Sequence, residues 1–369
     1  MGKEIARICG EGKVVIKDSN SYFLPTSVVR GFEKMLEGKH PLFVTEAVMR
    51  ICGICHAAHA IASCKAFENA LDIYPPRNGL MGREAIGLLN RIQSHLIHNL
   101  LILEDLVKKR INEDVTILIL DVLKIVNKML HELAGASTHP NKLVIGGIGK
   151  NWSEKIIEIN RERLKGAEKL YHELKRIESD EVLWTEKALK SKDVEVDFNY
   201  LASHPFYGDI STIDIQKISV EPYSKIFEDE SARTSSSMAA LYGGEPVEVG
   251  PRARLRTYRD FSNRSMIGLQ IARFEEISSA FNRIDKVFQE IDPTTPFKIE
   301  RFIFKKGYGA GVYEAPRGIL IHKVWLDKEG RVEKYNIVVP TMFNLPLINK
   351  MGSEFGIRLF DPYITCASH

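Results

Sequence analysis

The sequence predicts a mainly α fold with short β-elements (α+β), a helical body built as one domain over residues 1–369. Three observations carry this. Several long stretches place apolar residues at helical spacing. The β-rich runs are short and lie near the start and in the tail after Phe297. The composition, 44% hydrophobic and 27% charged, is that of an ordinary globular chain.

Taken in order, Lys13-Val14-Val15-Ile16-Lys17 predicts a strand, closed by a turn at Asp18-Ser19-Asn20. Residues 25–36 predict a helix that closes near Gly38, and Thr45-Glu46 a loop before a helical segment from Val48. Residues 57–71 carry Ala60, Ile61, Cys64, Phe67 and Leu71 on one helical face, which predicts a core-facing helix. Residues 80–109 and 115–134 predict two long helices packed antiparallel. The charged stretch 152–189 predicts a surface helix. Gly146-Gly147-Ile148-Gly149 and residues 194–220 predict loops and short strands, and residues 260–291 a further long helix. In the tail, Phe302-Ile303-Phe304, Ile319-Leu320-Ile321 and Tyr335-Asn336-Ile337-Val338-Val339 read as strands between glycine-rich turns. No internal repeat or low-complexity tract interrupts the pattern.

Composition narrows the function. The net charge is +3, from 51 Lys+Arg against 48 Asp+Glu, too balanced for a nucleic-acid footprint. No apolar run reaches the roughly 18 residues of a membrane span. Met1-Gly2-Lys3-Glu4-Ile5 lacks a signal-peptide core, so a cytoplasmic location is expected. Abundant Lys, Glu and Ile are compatible with a hot-living source. Five cysteines, an odd number, do not make a disulfide scaffold. They fit buried, metal-binding or catalytic thiols.

The strongest local signal is Arg50-Ile51-Cys52-Gly53-Ile54-Cys55-His56-Ala57-Ala58-His59. A C-x-x-C turn points two sulfurs at one metal; the alternatives are a redox pair or half a zinc site. A redox pair would want a βαβ setting and a zinc site a second close pair, and neither is present. The second signal is the terminal Asp361-Pro362-Tyr363-Ile364-Thr365-Cys366-Ala367-Ser368-His369. Gly309, Gly311 and Gly318 form no dinucleotide fingerprint, because they do not open a helix after a strand.

Together the two segments resemble the paired signatures of nickel–iron hydrogenase large subunits, R-x-C-G-x-C-x-x-x-H and D-P-C-x-x-C-x-x-H. The first matches throughout; in the second, Tyr363 stands where the family has a cysteine. Further similarities follow in the family's order: residues 30–39, residues 242–251, Glu314-Ala315-Pro316-Arg317-Gly318 and Val339-Pro340-Thr341. The length and these landmarks look most like the cytoplasmic archaeal branch that serves deazaflavin-reducing or heterodisulfide-reductase-linked complexes.

The resemblance implies a Ni-Fe centre held by four thiolates, two of which bridge to an iron carrying diatomic ligands; soft sulfur donors suit such metals. By position Cys52 is a terminal nickel ligand, and Cys55 and Cys366 are the bridges. The fourth ligand falls on Tyr363, whose phenol, with a pKa near ~10, is a different donor from a thiolate. A second departure lies in Arg7-Ile8-Cys9-Gly10-Glu11, where Cys9 replaces the family's proton-relaying Glu; proton transfer needs a group within hydrogen-bond reach. The resemblance also implies Mg held by Glu33 and His369, Arg317 over the iron's diatomic ligands, and His59 as donor to a cysteine sulfur. Electrons would leave through an iron–sulfur small subunit. Cys64, His95 and His98 are expected to pack, and Arg252 and Arg254 to pair with acids. Three readings stay open: an ordinary hydrogenase large subunit, a structural or electron-transfer subunit with an incomplete or absent centre, and a site with its fourth thiolate relocated to Cys9. Either way Cys9 and Tyr363 are expected to be neighbours.

Overall fold

A computed structural model describes residues 3–17, 20–227, 232–233, 235–351 and 353–369. Strands β1 (Lys3–Glu4), β2 (Gly12–Lys17) and β3 (Asn20–Pro25) form an antiparallel sheet with Val14 opposite Phe23. The strand at 13–17 is therefore present; Asp18 and Ser19 of the expected turn lie outside the described residues. The helix expected over 25–36 shrinks to α1 (Phe32–Leu36), because Pro25 ends β3 and Gly31 enters the left-handed region at φ 67°. Thr45 and Glu46 are not in a loop but in α2 (Pro41–Ala47). That helix starts with proline at its first position, and His40 Nδ1 accepts from Leu42 N at 3.3 Å.

Helix α3 (His56–Leu71) lies at the centre of the core, buried on nearly every side. Helices α4 (Arg77–Leu106) and α5 (Asn112–Ala134) pack on each other across a short connection. After β4 (Leu143–Val144) and β5 (Gly147–Ile148) comes α6 (Glu154–Ser179). Its outer face is charged, as its composition predicts. An inner stripe of Ile157, Leu164, Tyr171, Leu174 and Ile177 is buried. Trp152 precedes this helix and is fully buried.

Then follow α7 (Glu186–Lys190), β6 (Ile218–Pro222), α8 (Tyr223–Ile226), β7 (Met238–Tyr242), α9 (Pro251–Tyr258) and α10 (Gly268–Glu290). Residues 260–267 are not helical: Asn263 Oδ1 accepts from Ser265 N at 3.0 Å, a side-chain turn that delays the helix. Buried arginines pair as expected, Arg252 with Glu248, and Arg254 with Glu276 and, at 2.9 Å, Glu314.

The tail forms an antiparallel sheet of β8 (Gly307–Ala315), β9 (Gly318–Leu326) and β10 (Val332–Val338), ordered β10-β9-β8. Phe302-Ile303-Phe304 lies outside it. The glycines expected in turns instead line β8, which lies along α3. A Cβ at Gly307, Gly309 or Gly311 would run into the carbonyl oxygens of Ala70, Ala66 and Ala62. Small residues on both elements thus let strand and helix approach at backbone distance. Helices α11 (Pro340–Ile348), α12 (Glu354–Phe360) and α13 (Ile364–Ala367) complete the chain. Among the described residues no helix is long and apolar enough to cross a membrane.

Candidate metal centre

The two cysteine segments meet because a third segment ties them. The Arg30 guanidinium donates to Ile51 O at 2.6 Å and to Thr365 O at 2.5 Å, and Arg30 N to Ser368 O at 3.1 Å. Cys52 follows a single 3-10 turn, and its sulfur accepts from Ile54 N at 3.4 Å and Cys55 N at 3.2 Å. These bonds wrap the C-x-x-C turn about Cys52, and Cys55 becomes the residue that caps α3. Cys366 arrives on α13, its sulfur 3.7 Å from that of Cys55.

All three sulfurs lie within 4.8 Å of one another, and all three residues are buried. Burial pushes the Cys52 and Cys55 thiols well above their ordinary value. Cys366 is raised too: its bond with Cys52 acts downward, but Cys55 and burial outweigh it. Such thiols become thiolates when a soft cation displaces their protons. The donor set fits a metal on three sulfurs. It does not supply the fourth sulfur of the resemblance.

At the fourth position Tyr363 is fully buried, with its hydroxyl 3.3 Å from Ser94 Oγ on α4. Its ring lies 3.8 Å from the Arg317 guanidinium carbon, a cation–π contact. Cys9 is its backbone neighbour: the two form a parallel bridge, and Ile364 N donates to Cys9 O at 2.8 Å. The expected adjacency is real. Yet Cys9 Sγ sits 3.4 Å from Thr365 Oγ1 and is not one of the mutually close sulfurs. Its thiol is lowered to about 7, chiefly by hydrogen bonding with Cys52 and against burial.

Arg317 is buried, reaches Ser94 Oγ and pairs with Asp361. Asp361 also pairs with His98 Nδ1 at 3.1 Å. Against burial, Arg317 and His98 hold the Asp361 carboxyl well below the usual carboxylate range. A narrow hollow of about 10 Å³ opens beside the sulfurs, lined by Cys55, Cys366, His59, Arg317, Thr341 and Tyr363. His59 lines it; its backbone N donates to Cys55 O at 3.3 Å, and its Nδ1 meets His322 Nε2 at 3.1 Å. Glu33 and His369 converge, with 3.7 Å between Oε1 and Nε2, and Glu33 also accepts from Ile337 N at 2.6 Å.

Cys64 is buried packing, and His95 meets Glu276 at 3.0 Å. His98 is more than packing, since it holds Asp361. Ser94 and Asp361 were not singled out in the sequence. Asp361 was legible from its place in the terminal motif. Ser94, a lone serine on an apolar helix, carried no signal.

Residues 30–103 and 259–354 match the family described as nickel-dependent hydrogenase. The chain is 33% identical to the coenzyme F420 hydrogenase subunit alpha of Methanocaldococcus jannaschii, covering 95% of this chain and 88% of that one. It is 26% identical to the sulfhydrogenase 1 subunit alpha of Pyrococcus furiosus, over 99% and 96% of the two chains. The fold is similar to that of the reduced Ni-Fe-Se hydrogenase of Desulfovibrio vulgaris Hildenborough, with a TM-score of 0.81 at 22% identity over 100% of this chain and 99% of that one. With its three-sulfur pocket and this likeness across nearly its whole length, the chain belongs to the nickel-dependent hydrogenase family.

Proposed function

We propose that this chain is the large subunit of a nickel–iron hydrogenase-type oxidoreductase complex, one domain over residues 1–369, with its centre altered at Tyr363 and Cys9. The observation that carries the reading is the buried trio of Cys52, Cys55 and Cys366 sulfurs within 4.8 Å of one another. As thiolates all three would hold the metal, beside the hollow that Cys55 and Cys366 line. A centre of this kind supplies a redox-active metal for hydrogen chemistry. Arg317 contributes a fixed cation to the hollow wall, locked by Asp361 and Ser94. Tyr363 fills the fourth position and excludes water from it. Cys9, where the family's Glu carries protons, is a thiol bonded to neighbouring groups rather than a carboxylate relay. Weak hydrogen turnover is the expected result.

The pairing of Glu33 with His369 supports a magnesium site there. Kinship with an F420 hydrogenase subunit supports the archaeal deazaflavin-reducing branch, and with it a cytoplasmic complex; the heterodisulfide-reductase-linked branch is the alternative. Met35 and Phe43 are exposed and line one hollow with Arg50 of the cysteine motif. Such an apolar strip suits an iron–sulfur small subunit that carries electrons away.

The turn of the Tyr363 hydroxyl toward Ser94 favours a second reading, a structural or electron-transfer subunit without a nickel site. Nickel, iron and magnesium per chain in the purified complex, with hydrogen-dependent dye reduction, test both. Metal at the cysteines with little dye reduction is the expected outcome. Robust dye reduction by the unmodified complex overturns the altered-site reading, and metal-free cysteines leave only the structural one.

A further inference from the structure

A hollow of about 550 Å³ opens between the segment 204–207, the end of α9 and one face of α10, and it shares no lining residue with the thiol pocket. That volume suits a small organic ligand. The hydrogenase reading does not use it.

The charges in its wall do not balance. Three cations, Arg259, Arg283 and Lys286, stand there with one carboxylate, Glu84. Arg283 takes both Glu84 oxygens, at 2.7 and 2.9 Å. Arg259 and Lys286 are exposed, and among the described residues neither pairs with a carboxylate. Arg259 lies instead over the Phe206 ring, its guanidinium carbon 5.9 Å from the centroid.

The segment 204–207 adds a donor and turns its acceptors away. The backbone N–H groups of Phe206 and Tyr207 donate to His204 Nδ1 at 3.1 and 2.9 Å. A ring nitrogen that accepts carries no proton, so the His204 proton sits on Nε2. Among the described residues that N–H has no acceptor. The carbonyls of Pro205 and Phe206 accept from the buried Arg91 guanidinium at 2.9 and 2.7 Å. Gly208 O accepts from Lys65 Nζ at 2.6 Å. These two cations fix the segment from behind, so the wall is set before a ligand arrives.

Two unpaired positive charges and a neutral N–H match a dianion with several terminal oxygens. A carboxylate brings one charge, whereas a phosphate monoester brings about two at neutral pH, spread over three acceptor oxygens. We propose that this hollow binds a small organic phosphate monoester, its phosphate held by Arg259, Lys286 and the His204 Nε2–H and its organic part against Pro205 and Phe206. The site does not depend on what the cysteines hold.

The test is calorimetric titration of the purified complex at neutral pH with phenyl phosphate and with phenyl sulfate, which has the same shape and about one charge fewer. Phenyl phosphate should bind saturably, at least about tenfold more tightly than phenyl sulfate. Lys286→Gln, at an exposed position of α10 where folding is not at stake, should weaken phenyl phosphate about tenfold, and Arg259→Gln likewise. Lys169→Gln, at an exposed position of α6 that lines no part of the hollow, should leave it unchanged. No saturable binding below about 10 mM, equal affinity for the two esters, or unchanged affinity in both hollow variants overturns the proposal. An equal loss in Lys169→Gln means attraction to the general surface charge and overturns it too.

Discussion

The two edges of the thiol pocket differ in kind. On one edge Cys55 and Cys366 lie 3.7 Å apart beside a hollow walled by Arg317, Pro340 and Thr341. On the other, Tyr363 turns its hydroxyl to Ser94, and Cys9 holds its sulfur within hydrogen-bond reach of Thr365 and Cys52. The first edge follows the hydrogenase pattern residue by residue, while the second departs from it twice in adjoining strands of backbone. The departures are compatible with the fold because the phenol finds a partner on α4 and a cation over its ring. A buried hydroxyl without such partners would be costly. A family site can thus lose a ligand at one edge while the packing that frames the other edge stays intact.

The largest effect should come from the matching edge. Cys366→Ser replaces a soft donor with a poor one, and metal per chain, measured on the purified complex, should fall to background. Retention of full metal would show that this edge does not hold it. Next comes the arginine between the two edges. Arg317→Met strands the buried Asp361 carboxylate with the neutralising contact of His98 alone at hydrogen-bond distance, and should cost about 3–5 kcal/mol in denaturant unfolding. A loss under about 1 kcal/mol would mean the pair is solvated or already neutral.

The departing edge should respond less. Tyr363→Phe removes one hydrogen bond to Ser94 and should cost about 1 kcal/mol with metal content unchanged. Loss of metal in this variant would place the phenol among the ligands and erase the contrast. Smallest is an effect away from both edges. Burial acts upward on the Glu33 carboxyl, but His369 and Ile337 N outweigh it, so its pKa is lowered from 4.5. A depressed acid stabilises the fold above its unfolded value, and this contribution fades as pH falls through the folded one. Stability measured from neutral pH down past 4.5 should therefore fall more steeply for the unmodified chain than for Glu33→Gln. Parallel curves would mean the carboxylate is unpaired in solution.

The cysteine motif, the altered terminal motif and the principal helices were legible in the chain, because a C-x-x-C turn and a helical repeat are local properties. The neighbourhood of Cys9 and Tyr363 was legible too, through the resemblance that links their segments. Three things only the tertiary structure decided. The glycines of β8 read as turn signals, since nothing local announces that α3 will lie against them. Tyr363 could have turned its hydroxyl toward the sulfurs or away, and Ser94, 269 residues earlier, settles it. His59 meets His322, 263 residues further on, through its Nδ1, a partner that nothing in its own segment announces. Spacing along a chain reports which residues share a turn or a helix face. The direction of a buried hydrogen bond depends on partners that only long-range packing brings within reach.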